Sequence, residues 1–279
     1  MSVWDYLNLF QWAKKLWYYV LTWTFKQVFG RDAGKEYHVI YNINIVPKGI
    51  VFEKPEPKVN RDDYRRTKNL TTINSCAVTR AIGYLVYAFG EKVNKPPIIS
   101  SDVDTDDRMD ISFISIGGVT NLKTCDVLRD NSNQFLDFSK RSIVHRPSKL
   151  PVIEFTGDVD YGLIIKIKPH SNPKRTWICC AGFGEWGSSG AAWFLARKWK
   201  DIRKWAKDKP FAIITKTDIN SDESTELLHK FLTSEDVEDV LRKTQKTVTT
   251  TTTEIVTKSF TSTAAPPESN STAAPTASS

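Results

Sequence analysis

The stretch Trp177-Ile-Cys-Cys-Ala-Gly-Phe-Gly-Glu-Trp-Gly-Ser-Ser-Gly-Ala-Ala-Trp-Phe-Leu-Ala-Arg-Lys-Trp199 decides how the chain is read. Trp177 to Ala181 is a short apolar run with the length of a buried strand. Gly182, Gly184 and Gly187 follow as a G-x-G-x-x-G turn, and Ser188 or Ser189 is placed to cap a helix that continues to about Ala206. The order strand, glycine turn, helix is the context in which this pattern carries weight. A tight turn at Gly182 and close backbone approach at Gly184 would bring a phosphate to the helix N-terminus. Glu185, inside the turn, is the candidate general base or nucleophile if the site is catalytic. A glycine turn can equally serve only to let a helix pack closely on a sheet.

A second unit of the same kind precedes it. Ile111 to Ile116 reads as a strand, Gly117-Gly118 as its turn, and Leu122 to Arg129 as a short helix. Gly117 and Gly118 can adopt positive φ and expose backbone N–H groups. Thr120 or Asn121 can cap the helix or hydrogen-bond a ligand. Ligands of open α/β sheets sit outside the carboxyl ends of the strands, so both turns are expected at one edge. Asp160 to Lys168 is a further strand, and the short turn Asn172–Arg175 makes it an antiparallel hairpin with Trp177 onward. Phe211 to Thr217 is a strand ending at Asp218, whose carboxylate could accept a ribose hydroxyl. Asp218 lies 31 residues beyond Gly187, further than the usual ~20 of dinucleotide sites.

Upstream, Glu36 to Val46 reads as one strand and Ile50 to Phe52 as another, followed by a polar loop over residues 53–70. Thr72 to Phe89 has helical periodicity and Gly90 is its expected stop. Asp102, Asp104, Asp106, Asp107 and Asp110 form an acidic loop. It lacks the glycine and glutamate of a calcium loop, having Asp107 and Phe113 at those positions, so no metal site is expected. Ser224 to Lys243 reads as a helical stretch in two pieces, broken around Thr233-Ser234. From Thr244 the composition collapses to Thr, Ser, Ala and Pro, which predicts a disordered tail or spacer.

Residues 1–30 carry ten of the chain's 32 aromatic residues. Asp5, Asn8, Gln11, Lys15, Thr22 and Lys26 draw a narrow polar stripe beside a broad aromatic face, the pattern of an amphipathic helix. Its longest uncharged run, Leu16 to Phe25, has ten residues, whereas a membrane span needs roughly 20. Three readings remain open: a helix in the plane of a membrane surface, a helix docked on this protein's core or on a partner, and a tilted or re-entrant membrane segment.

The net charge of +7 favours anionic partners, but the absence of a dense Lys/Arg run argues against nucleic acid. Cys76, Cys125, Cys179 and Cys180 form no C-x-x-C, and the four histidines are scattered, so zinc is not expected. Cys179 and Cys180 are strand neighbours facing opposite sides; they read as small buried hydrophobes in a reducing compartment.

On Gly117-Gly118 with Asn121, and on Gly182-Phe-Gly-Glu-Trp-Gly187, the segment Phe113–Thr217 resembles the broad class of Rossmann-like nucleotide-recognising domains, including those of bacterial defence and signalling proteins. The resemblance implies a nucleotide, a dinucleotide such as NAD, or a sugar phosphate as ligand. The expected fold is α/β: a Rossmann-like mixed sheet with flanking helices over residues 31–243 (core 110–218), preceded by the aromatic helix 1–30 and followed by the tail 244–279. The expected function is binding of a phosphate-bearing ligand by a domain tethered to a membrane surface or partner. The competing expectations are a nucleotide or NAD hydrolase or glycosidase-type enzyme using Glu185, and a membrane-peripheral or interaction module with no small ligand. The expected location is cytoplasmic, with peripheral membrane attachment open.

Overall fold

The computed structural model describes residues 3–42, 44–47, 70–73, 75–139 and 141–244. The sheets and the site below belong to one compact unit that ends at Val237. The expected strand at Ile50–Phe52, most of the loop 53–70 and the tail from residue 245 lie outside the described residues.

Helix α1 spans Val3–Phe29 and stops at Gly30, whose φ of 100° only glycine adopts without strain. Strand β1 (Tyr37–Tyr41) follows, then the antiparallel pair β2 (Asn44–Pro47) and β3 (Leu70–Ile73). Helix α2 (Cys76–Val93) leads to β4 (Ile98–Ser101) and β5 (Ser112–Ile116), then α3 (Leu122–Arg129). A small antiparallel sheet, β6 (Leu136–Ser139), β7 (Ser142–His145) and β8 (Pro151–Glu154), comes next. Then come β9 (Val159–Ile167), β10 (Trp177–Gly182), α4 (Glu185–Ala206), β11 (Phe211–Asp218), a 3-10 turn at Asp222–Ser224 and β12 (Glu226–Phe231); helix α5 covers residues 234–244.

The main sheet has seven strands in the order β12-β11-β9-β10-β5-β1-β4. β4, β1, β5 and β10 run parallel, β9 is antiparallel to β10 and β11, and β12 is antiparallel to β11. The fold is therefore α/β with a mixed sheet and helices on both faces, and the expected β9–β10 hairpin is present. Side chains alternate across each strand. Val39, Ile114, Ile164, Ile178 and Ile213 face one core with Phe25 and Phe29 of α1, Leu85 and Phe89 of α2, and Leu195 and Trp199 of α4. On the opposite face Phe113 stacks on Trp177 at 5.2 Å, and Thr124 of α3 donates to Ser115 at 2.9 Å.

Several boundaries differ from expectation. The Glu36–Val46 run breaks at Asn42, and its second half pairs with Leu70–Ile73 rather than continuing β1. Thr72 and Ile73 are thus strand, and α2 starts at Cys76, where the Ser75 hydroxyl accepts from Val78 N–H at 3.2 Å. Gly90 does not stop α2; the helix ends at Asn94, in the left-handed conformation at φ 51°. Glu226–Phe231 is an edge strand paired with β11, so only the second piece of Ser224–Lys243 is helical.

Lys166 on β9 is buried on the core face. Its Nζ donates to the carbonyl of Gln27 at 2.7 Å and so holds the last turn of α1. Burial, with Lys168 adding to it, pushes this ammonium down to about 7.

Candidate functional site

The parallel strands place the two glycine turns at the same carboxyl edge, on adjacent strands β5 and β10. They touch: a Cβ on Gly118 would lie 3.0 Å from the carbonyl oxygen of Gly182. Gly117 has φ 113°, and its N–H donates to Cys180 at 3.0 Å. Asn121 is fully buried and accepts from the N–H groups of Lys123 (2.9 Å) and Thr124 (3.2 Å), capping α3. Its amide also donates to the carbonyls of Ile116 (2.9 Å) and Ile40 (3.3 Å), so Asn121 ties the ends of β5 and β1 together. Thr120 is exposed and accepts from Asn42 at 3.4 Å.

The Gly182–Gly187 turn is capped from within the protein, and not by Ser188 or Ser189. Helix α4 begins at Glu185 with Gly184 at the N-cap, and Gly184 has no side chain to cap with. The carboxylate of Asp160, 2% exposed at the start of β9, takes that role. It accepts from Gly187 N–H at 2.7 Å, Gly184 N–H at 3.1 Å and its neighbour Tyr161 N–H at 2.9 Å. A negative charge at this helix end is favourable for the same reasons a phosphate would be. The glycines permit close packing. A Cβ on Gly182 would overlap the backbone of Gly187 and Ser188, and one on Gly187 would overlap Asp160 and the Tyr161 carbonyl. Phe183, the residue between the first two glycines, packs against Phe138 and Phe155 at 5.3 Å each, beside the small sheet.

Ser188 donates to the Gly184 carbonyl at 3.2 Å, and the buried Ser189 donates to Asp222. Asp222 itself is buried and receives Arg80 Nε at 2.7 Å and the Tyr84 hydroxyl at 3.1 Å. Arg80 lies over the Trp186 ring at 4.2 Å. Burial, with Asp222 beside it, pushes the Tyr84 hydroxyl up to about 12. This network pins α2, α4 and the 3-10 turn to one another. Glu185 is exposed and meets no hydrogen-bond donor among the described residues. Asp218 is exposed, and β9 separates its strand from β10. The structure therefore brings Gly117 and Gly118 against Gly182, leaves Glu185 exposed within the same turn, and places Asp218 exposed at the end of a strand two positions from β10.

Burial pushes the Cys179 thiol up to about 12 and also raises the Cys180 thiol well above its ordinary value. Among the described residues, no three His, Cys, Asp or Glu side chains converge as metal ligands.

Sequence reasoning missed Asp160 and Asp222, because each acts on residues distant in the chain. It also missed what becomes of α1. Residues 21–29 dock on the core through Phe25, Val28 and Phe29, but residues 10–20 are exposed throughout. Phe10, Trp12, Trp17 and Tyr19 are 70, 63, 69 and 70% exposed. Comparison with protein-family models, with curated proteins and with solved structures gives no match to this chain.

Proposed function

We propose that this protein is a peripheral membrane module, in which an α/β domain is held at a bilayer surface by the projecting half of α1. The observation that carries the reading is the exposure of residues 10–20, a helical segment dense in aromatic residues with Lys14 and Lys15 beside them. Exposed apolar patches of this kind mark interaction surfaces. Trp and Tyr favour the membrane–water interface, and lysines suit anionic headgroups. Among the described residues no helix is long and apolar enough to cross a membrane, and the docking of Phe25, Val28 and Phe29 on the core favours an in-plane contact.

Ligand binding at the Gly182–Gly187 turn is the less supported reading, because the Gly184 and Gly187 N–H groups are already engaged by a buried carboxylate. A phosphate there would have to displace Asp160 or sit beside its charge. No catalytic role for Glu185 is proposed.

The test is flotation of the full chain with phosphatidylcholine vesicles, compared with the variant Trp12→Ala/Tyr19→Ala. Each ring carries roughly 150–250 Å². At about 25 cal/mol per Å² of exposed apolar area, and with about half of that realised at an interface, the pair contributes about 3 kcal/mol. Partitioning should fall on the order of 100-fold, with the melting temperature unchanged because neither side chain packs on the core. Equal partitioning of the variant, or no flotation of the parent, would overturn the reading.

A further inference from the structure

An open cleft of about 440 Å³ lies between the C-terminal parts of α1 and α4, lined by Trp23, Gln27, Arg203, Lys204 and Lys207. We propose that this cleft receives the phosphate headgroup of an anionic phospholipid in the bilayer on which α1 lies; the inference rests on the membrane reading above.

Three observations carry it. The first is continuity with the exposed stripe. Trp12, Leu16, Tyr19, Trp23 and Gln27 follow one another at three- and four-residue steps, so they share one face of α1. That face is apolar and exposed along Trp12 to Trp23 and enters the cleft at Trp23 and Gln27. Phe25, Val28 and Phe29 occupy the other side, against the core. A lipid whose acyl chains lie beside the stripe thus has its headgroup next to the cleft.

The second is the charge. Lys204 is paired with Asp201 at 2.7 Å, so Arg203 and Lys207 are the cations left for an anion. Lys207 forms no ion pair among the described residues. The C-terminus of α4 contributes roughly half a negative charge, which two cations outweigh.

The third is preorganisation. Arg203 Nε donates to the Gln27 side-chain oxygen at 2.8 Å, and its guanidinium lies 5.8 Å from the Trp23 ring centroid. These contacts fix the plane of the fork, and its two terminal nitrogens have no protein acceptor among the described residues. A planar, positioned guanidinium is suited to bidentate contact with phosphate oxygens.

The experiment uses the full chain, vesicles of phosphatidylcholine alone, and vesicles with 30% phosphatidylserine added. The parent should partition more strongly onto the anionic vesicles. Arg203→Gln/Lys207→Gln should remove about 25-fold of that preference, about fivefold per cation at the surface. Its binding to neutral vesicles should fall far less, because the choline of phosphatidylcholine offsets the charge of the phosphate it carries, and its far-UV circular dichroism should be unchanged. Lys149→Gln/Lys216→Gln removes the same charge away from the cleft and should change the preference less than threefold, because charges beyond a Debye length of about 10 Å are screened. If both double variants lose the same preference, the effect is one of net charge and the headgroup site is overturned. If Arg203→Gln/Lys207→Gln keeps the preference, the site is overturned while neutral-vesicle binding still supports the membrane reading. If the parent binds neither vesicle, both readings fall.

Discussion

Replacing Asp160 by alanine tests whether the glycine turn is satisfied from within. The carboxylate is buried and accepts from three backbone N–H groups, two of them at the first turn of α4. Its removal leaves the Gly187 N–H buried without a partner, which costs about 1–3 kcal/mol. Gly184 is exposed and its N–H can turn to water, so it adds little. Loss of the negative charge at the helix N-terminus adds about 0.3–1 kcal/mol, and the Tyr161 N–H about 1 kcal/mol. The total is about 3 kcal/mol, a large share of the roughly 5–15 kcal/mol that holds a domain together. Urea unfolding of the full chain, followed by circular dichroism, should show a midpoint about 1 M lower, given a slope of about 3 kcal/mol per M. Asp160→Asn should fall between the two, because its amide keeps one acceptor but turns a donor toward the other N–H groups. A midpoint within about 0.3 M of the parent would refute the capping role.

Other outcomes follow from the packing. Gly190→Ala should destabilise by about 1–3 kcal/mol through overpacking, since its Cβ would overlap the hydroxyls of Thr217 and Thr225; a neutral effect in the same unfolding assay would contradict the close helix–sheet contact. Lys166 has a folded-state value of about 7 against the ordinary 10.5, so the unfolded chain binds the extra proton between those limits and stability rises with pH. Between pH 7 and 9 the contribution is about 2–3 kcal/mol at 1.36 kcal/mol per unit. Lys166→Met should flatten that rise, and equal slopes in parent and variant would contradict the lowered value of the buried Lys166 ammonium. Arg80→Met should cost about 2–3 kcal/mol by leaving the buried Asp222 with only neutral partners, measurable as a lower melting temperature, whereas an unchanged one would show that Tyr84 and Ser189 suffice.

What was legible in the chain was what local pattern decides. The strand, turn and helix over Trp177–Ala206 and the capped helix Leu122–Arg129 appear with boundaries close to expectation, because apolar period, glycines and a capping Asn121 all agree. Glu226–Phe231 misled because Leu227, Leu228 and Phe231 fit a helical spacing, and only pairing with β11 makes the segment a strand. Gly90 misled because, with no heavy atom close to where its Cβ would be, it is tolerated in the last turn of α2, while Asn94 supplies the left-handed stop. Asp160 was illegible as a cap because its partners lie 24 and 27 residues away. The cleft was hidden for the same reason on a larger scale: Gln27 and Arg203 are 176 residues apart.

The central claim, that the projecting half of α1 meets a bilayer, is tested most directly by hydrogen exchange of the full chain with and without phosphatidylcholine vesicles. Backbone amides of residues 10–23 should become protected on adding vesicles, while those of the turns Gly117–Asn121 and Gly182–Gly187 exchange as before. Unchanged exchange over residues 10–23, or protection confined to the two glycine turns, would contradict the account.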